Sequence, residues 1–252
     1  MSLKNKLLKN ELTIGSWITI GHHSIAEIMA TAGFDWLTID MEHSAINLEK
    51  SQELILAIKS TGATSLVRVG LNDDLIIKQV MDAGADGVIV PMVCSKEDAE
   101  RAVNAVKYPP YGNRGVGLAR AQNYGLGFEE YKNWLKKDSV VIAQIEHKEA
   151  VKNIKDIIQV DGIDGIIIGP YDMSASFGIP GELDSPILLD AIKQTEQACR
   201  DANFPLGFHV IKPDHAEIEQ KISLGYTFLG FSLDFLFLGD KARFEMEKIK
   251  NV

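Results

Sequence analysis

IIIGPYDMS, residues 166–174, runs three isoleucines into Gly169-Pro170 and sets a carboxylate, Asp172, two residues further on. An unbroken apolar run closed by Gly-Pro reads as a strand buried on both faces, not one that alternates between core and water. An acid just past such a strand needs a reason, and the reason lies in how often the pattern repeats. The unit is a short β-branched or aromatic run, a polar or glycine turn, and then a helical period. TIGSWITI (13–20), FDWLTI (34–39), TSLVRV (64–69) and DGVIVPM (86–92) begin the series. VVIAQI (140–145), DGIIIG (164–169), PLGFHVI (205–211) and YTFLGF (226–231) complete it.

The segments between these strands repeat at helical spacing. Ser51, Leu54, Ile55 and Ile58 share one face, as do Ile76, Ile77, Val80 and Met81. So do Ala99, Ala102, Val103 and Val106, and later Val151, Ile154, Ile157 and Ile158. Asn47 and Ser95 sit where an N-cap oxygen would accept from free first-turn N–H groups, with Asp98 placed as in a capping box. Alternating strands and helices imply a parallel sheet with helical crossovers. Eight such units in 252 residues give the α/β class and the size of a (β/α)8 TIM barrel, one domain over 1–252. A doubly wound open sheet is the runner-up, but no Gly-x-Gly-x-x-Gly turn follows the first strand. Residues 108–138, rich in glycine, read as a long functional loop.

The composition is 46% hydrophobic and 24% charged, with a formal net charge of −9. No basic stripe is present, so nucleic acid and anionic membrane are excluded as expected partners. Cys94 and Cys199 lack metal-type spacing and read as reduced structural thiols, which suits the cytoplasm. The opening MSLKNKLLKNEL lacks the apolar core of a secretory signal. The apolar run ending in DFLFLG is interrupted by Asp234 and is too short to span a bilayer.

In a (β/α)8 barrel the active site lies at the C-terminal ends of the strands. Asp40, Glu42 and His43 end the second strand, Gln144 and Glu146 the fifth, Asp172 and Ser174 the sixth. Glu146 and Asp172 stand about one βαβ repeat apart and so come from adjacent strands. Two carboxylates crowded in a partly dry mouth repel unless a proton or a cation lies between them. With open sites, such a pair suits Mg²⁺ or Mn²⁺; ordinary structural acids fit the spacing equally well. His43 reads as a general base oriented by a neighbouring acid, or as a satisfied loop histidine. Arg68 interrupts an apolar strand; it either binds a substrate carboxylate and a developing oxyanion or sits in a buried ion pair. Asp82 by position is a helix-end residue, and His209 and Asp234 read as structural. Arg114 and Arg120 are candidates for meeting substrate or a neighbouring subunit; His22 and His23 read as solvent-exposed polar residues or as contacts of a second substrate.

GFDWLTIDMEHS, VRVGLND, DGVIVPMV, YPPYGNRGVG, QIEHKEAVKNI and GIDGIIIGPYDMSASFG together resemble the HpcH/HpaI aldolase/citrate lyase family, over about Gly15 to Gly239. The resemblance implies class II, metal-dependent pyruvate aldolases of the phosphoenolpyruvate/pyruvate barrel superfamily. These are carbon–carbon lyases that reversibly split a 4-hydroxy-2-oxo acid into pyruvate and an aldehyde. It implies Glu146 and Asp172 as ligands of a divalent cation, Mg²⁺ or Mn²⁺, with Co²⁺ or Zn²⁺ as alternatives. It implies catalytic His43 paired with Asp82, and Arg68 as catalytic and pyruvate-binding. Gln144, Tyr171, Asp172 and Ser174 are implied on the substrate side, and Asp40 near the metal's waters. Alanine is common at position 171, so Tyr171 departs from the pattern and reshapes the mouth. The implied assembly is a hexamer, a trimer of dimers, with the C-terminal helix packing on a neighbour. Two other readings remain: a Claisen-type lyase or synthase of the same superfamily, and a non-catalytic barrel that binds a 2-oxo acid.

Overall fold

The computed structural model describes residues 1–250. The first half comprises α1 (Leu3–Leu8), β1 (Thr13–Ile18), α2 (His23–Ala30), β2 (Trp36–Asp40), α3 (Leu48–Ser60) and β3 (Thr64–Arg68). It continues with α4 (Asp74–Asp82), β4 (Gly87–Val90), α5 (Lys96–Val106), a 3-10 turn at Arg120–Gly125 and α6 (Phe128–Asp138). The second half comprises β5 (Val140–Ile145), α7 (Lys148–Lys152), α8 (Ile154–Ile157), β6 (Gly165–Ile168), α9 (Pro170–Ser176) and α10 (Pro186–Asp201). β7 (Leu206–Val210), α11 (His215–Ser223), β8 (Phe228–Leu233) and α12 (Asp234–Lys250) follow. The strands close in chain order, β1 to β8, and every pairing is parallel, so the fold is the (β/α)8 barrel the repeat implies.

Strand parity decides which residues meet. Side chains alternate between barrel interior and helix layer. Within β2, Leu37 and Ile39 join the core beneath the helices, and Trp36 joins the cluster inside the barrel. Asp40 shares Trp36's parity and therefore points into the mouth. Register carries this round the barrel: Asp40 pairs with Arg68, Gln144 with Ile167, and His209 with Gly230. The interior floor is Trp36 stacked on Phe228 at 4.3 Å between ring centroids, with Leu66, Ile89 and Ile142 beside them. Gly15 makes room for this stack, since a Cβ there would lie 2.0 Å from the Trp36 ring. Leu3 and Leu7 of α1 cap the floor from below.

Asn47 and Ser95 cap α3 and α5, accepting from Lys50 N at 2.9 Å and Asp98 N at 3.1 Å. Asp98 in turn accepts from Cys94 N at 3.0 Å, one residue earlier than a capping box requires. The 108–138 segment is not one long loop: its second half is the 3-10 turn and α6, seated on Tyr131 and Leu135. Arg114, buried in this segment, donates to Val106 O at 2.9 Å and to the hydroxyls of Tyr108 and Tyr131. It therefore holds the segment down and does not meet substrate. No helix among the described residues is long and apolar enough to cross a membrane.

Candidate active site

Arg68 enters the mouth from the end of β3 and is gripped on three sides. Its Nε and Nη2 donate to Asp40 Oδ1 and Oδ2 at 3.0 and 2.7 Å. Its guanidinium lies over the Trp17 ring at 4.4 Å. Glu42 Oε2 approaches Nε at 3.3 Å. A bidentate carboxylate and an aromatic face fix a planar fork far better than they would a lysine. Burial by itself would raise the Asp40 carboxyl, but Arg68 and the backbone N–H groups of His43 and Glu42 hold it below its ordinary value. Asp40 thus orients Arg68 and turns the chain after β2.

Three further acids share the mouth. Glu146, 2% exposed, accepts from Met92 N at 2.7 Å through Oε1 and from the Gln144 amide through Oε2. Burial pushes its carboxyl up to about 7, with Glu42 and Asp172 adding repulsion. Burial likewise lifts Glu42 to about 7 against the pull of Arg68, and Asp40 and Asp172 push the same way. Glu42 Oε2 is buried without a hydrogen-bond donor. Asp172 sits in the first turn of α9. The stretch from Gly169 to Asp172 now explains itself. A Cβ at 169 would lie 3.0 Å from the Glu146 Cβ and 3.1 Å from its Oε2, so glycine leaves room for that carboxylate. Pro170 starts α9, and the N–H groups of Tyr171 and Asp172 precede the first helical bond, Met173 N to Gly169 O at 3.0 Å.

A cavity of about 340 Å³ opens at the C-terminal ends of the strands. His43, Gln144, Tyr171 and Asp172 line it together with Arg68, Trp17 and His209. Larger hollows of about 590 and 460 Å³ lie on the outer surface, beside α6 and between α4 and α5, far from the converging acids. His43 is exposed, with Nε2 3.8 Å from Glu42 Oε2.

Two expected site residues lie elsewhere. Asp82 ends α4, at the N-terminal end of the barrel, where it pairs with Arg114 Nη2 at 3.3 Å. A helix returning from β3 to β4 must end at the face opposite the mouth, so one chain does not bring Asp82 to His43. Ser174 is fully buried; its hydroxyl donates to Tyr171 O at 2.6 Å and accepts from Gly181 N at 2.8 Å. It ties α9 to the following turn and has no reach to substrate. Glu42, given no role in the sequence, joins the acids of the mouth, and His209, read there as structural, lines the cavity. The signal for both was parity: each lies an even number of residues from an inward-facing neighbour. Asp234 is structural as expected, accepting from Thr19 N at 2.8 Å and Ile20 N at 2.7 Å.

The donor set fits a hard divalent cation. Glu146 and Asp172 offer oxygen ligands, and the repulsion that Glu42 and Asp172 exert on Glu146 is one that a cation would relieve. Among the described residues no three His, Cys, Asp or Glu converge to hold a metal by themselves.

The HpcH/HpaI aldolase/citrate lyase family model matches residues 13–237. The chain is 36% identical over 239 residues to 2-keto-3-deoxy-L-rhamnonate aldolase of Escherichia coli K12, covering 94% of this chain and 88% of that protein. It is 34% identical over 238 residues to hydroxypyruvate/pyruvate aldolase of Roseobacter denitrificans, covering 94% and 92%. A solved HpcH/HpaI aldolase/citrate lyase family protein from Burkholderia cenocepacia J2315 superposes with a TM-score of 0.93 at 29% identity, covering 98% of each chain. With every strand of the barrel inside the matched span, the chain belongs to the HpcH/HpaI aldolase/citrate lyase family.

Proposed function

We propose that this protein is a class II pyruvate aldolase, a carbon–carbon lyase that splits a 4-hydroxy-2-oxo acid into pyruvate and an aldehyde and also runs in reverse. The observation that carries this reading is the cluster of Glu42, Glu146 and Asp172 facing one fixed guanidinium, Arg68, in the barrel mouth. Glu146 and Asp172 would hold a divalent cation, Mg²⁺ or Mn²⁺. When bound, that cation supplies Lewis-acid polarisation of the 2-oxo acid.

The chain's own residues account for the rest. The free N–H groups of Tyr171 and Asp172 take the pyruvate carboxylate. Arg68, held by Asp40 and Trp17, donates to the keto oxygen, where negative charge grows as the C3–C4 bond breaks. His43 takes the C4 hydroxyl proton as the aldehyde leaves, then returns a proton to C3 of the enolate; synthesis reverses both transfers. Gln144 keeps Glu146 in place by its amide hydrogen bond. No lysine lines the cavity, so a Schiff base has no nucleophile there. The pairing of His43 with Asp82 requires a second copy of the chain, consistent with a cytoplasmic hexamer. Exposed Phe235, Leu238, Phe244 and Ile249 on α12 suit a helix that packs on a neighbour.

The test is pyruvate with a panel of aldehydes, with and without chelator, beside Glu146→Gln and His43→Ala. Methyl-proton exchange of pyruvate in D₂O is followed in parallel. Chelation and Glu146→Gln are expected to abolish both turnover and exchange. Full activity in chelator would reject the mechanism. Turnover of an acyl thioester in place of the aldehyde would move the protein to the Claisen branch.

A further inference from the structure

We propose that His209 is a positioning residue for the lyase reaction: its ring, tied to the Ser232 carbonyl, braces the Trp17 indole on which the Arg68 guanidinium rests, and so fixes the direction in which Arg68 donates. This deepens the aldolase reading and rests on it, since Arg68 is there the donor to the keto oxygen. Asp40 grips the Arg68 fork at two points, 3.0 and 2.7 Å, but such a pair can still swing as one body about the aspartate side chain. The plane of the fork is set by the surface beneath it, the Trp17 ring at 4.4 Å. Trp17 has no polar anchor of its own: its Nε1 is buried and makes no hydrogen bond among the described residues. Its orientation therefore comes from packing, and His209 packs against it at 5.1 Å between centroids, with 40° between the planes.

Strand order explains how the two rings meet. Trp17 stands on β1 and His209 on β7, with β8 between them. Gly230 of β8 pairs with His209 on one side and with Gly15, two residues before Trp17, on the other. A Cβ at 230 would lie 2.9 Å from Trp17 Nε1 and 3.3 Å from His209 Cδ2, so glycine there lets rings from non-adjacent strands touch. His209 is anchored in turn. Its Nε2 lies 3.2 Å from Ser232 O; a carbonyl only accepts, so Nε2 carries the hydrogen. The β1–β8 register slips between Gly15 and Trp17, so β8 carries an extra residue there. Ser232 stands within that bulge at φ 53°, a left-handed conformation unfavourable for serine, and its carbonyl takes both Ser16 Oγ at 3.1 Å and His209 Nε2. Burial pushes the imidazole down to about 4 over the opposing pull of Ser232, so the ring sets no second positive charge beside Arg68. An uncharged flat ring on a hydrogen-bonded tether is a stiff brace; a leucine of similar size has neither the tether nor the flat face.

The test is a double-mutant cycle on the exchange of pyruvate methyl protons in D₂O, with Mn²⁺ supplied, giving kcat and the KM for pyruvate. His209→Leu keeps an apolar side chain in place, and His209→Gln keeps a donor for Ser232. Both are measured with Arg68 present and in Arg68→Ala. Gly230→Ala, which wedges the two rings apart and leaves His209 itself unaltered, is a second route to the same break. With Arg68 present, His209→Leu and Gly230→Ala should each lower kcat by roughly tenfold while KM changes by about twofold or less, because the lost alignment is felt as charge develops on the keto oxygen. His209→Gln should recover part of the loss. In Arg68→Ala the same changes should have almost no effect. An equal loss in both backgrounds makes His209 a packing residue only and overturns the proposal, as does an unaltered kcat in His209→Leu with Arg68 present. If the wild type exchanges no protons, the aldolase reading fails and this assignment with it; exchange by the wild type with additive losses sinks only the assignment of His209.

Discussion

At the residue scale the site is a problem of charge in a confined space. One guanidinium cannot neutralise Asp40, Glu42, Glu146 and Asp172 together, and the geometry assigns it to Asp40 first. Asp40→Asn is expected to lower kcat by roughly 10–100-fold, because Arg68 loses its charged bidentate anchor while its own charge stays. Steady-state kinetics and a crystal structure of the variant check this; full activity would make the Asp40 grip incidental. Gly169→Ala probes the other side of the mouth. The new methyl would meet the Glu146 carboxylate, so Mn²⁺ affinity by calorimetry should fall about 10–100-fold. The fold should lose about 1–3 kcal/mol by overpacking.

At the element scale, α6 shows how a buried cation substitutes for a cap. Lys107, 5% exposed, donates to Leu135 O at 2.9 Å and to Ser139 Oγ at 2.6 Å, covering the end of the helix. Burial pushes this lysine down to about 8 from its ordinary 10.5, and Lys4 adds repulsion. Between those values the unfolded chain binds more protons than the folded one, so this group's contribution to stability rises with pH from 8 to 10.5. Below 8 the full cost of burying the charge is present. Urea melts across that range should therefore show wild-type stability gaining on Lys107→Met as pH rises; parallel curves would mean the lysine is not dehydrated. Helix α6 was legible in principle. Tyr131 and Leu135 repeat at i, i+4, but the glycines ahead of them mark a loop, and the loop reading absorbed the helix. Helix α1, with Leu3 and Leu7 spaced the same way, is too short to stand out until the barrel floor is there to receive it.

At the scale of the whole molecule, one chain leaves apolar surface that water does not favour. On α12, Leu238 is 60% exposed and Phe244 51%, and Leu118 and Leu126 protrude from the glycine-rich segment. If a second copy covers α12, Leu238→Glu should break the assembly in light scattering while leaving far-UV circular dichroism unchanged. If Asp82 of a second copy is the partner of His43, activity should fall with it. An unchanged mass with Leu238→Glu would place the interface elsewhere.

The sequence by itself determined the barrel: eight apolar runs, each followed by a helical face, admit few other closed arrangements, and period and length are local properties. It also placed acids past the ends of the second, fifth and sixth strands. Which acids share a charge field was decided by tertiary structure alone. Asp40 and Arg68 meet through strand register, Glu146 and Glu42 face each other across the barrel, and Ser174 turns inward to its own helix. Asp82 and His43 end at opposite faces. The physical reason is distance along the chain: residues that touch in the mouth are set by register and parity round a closed sheet, which no local pattern encodes.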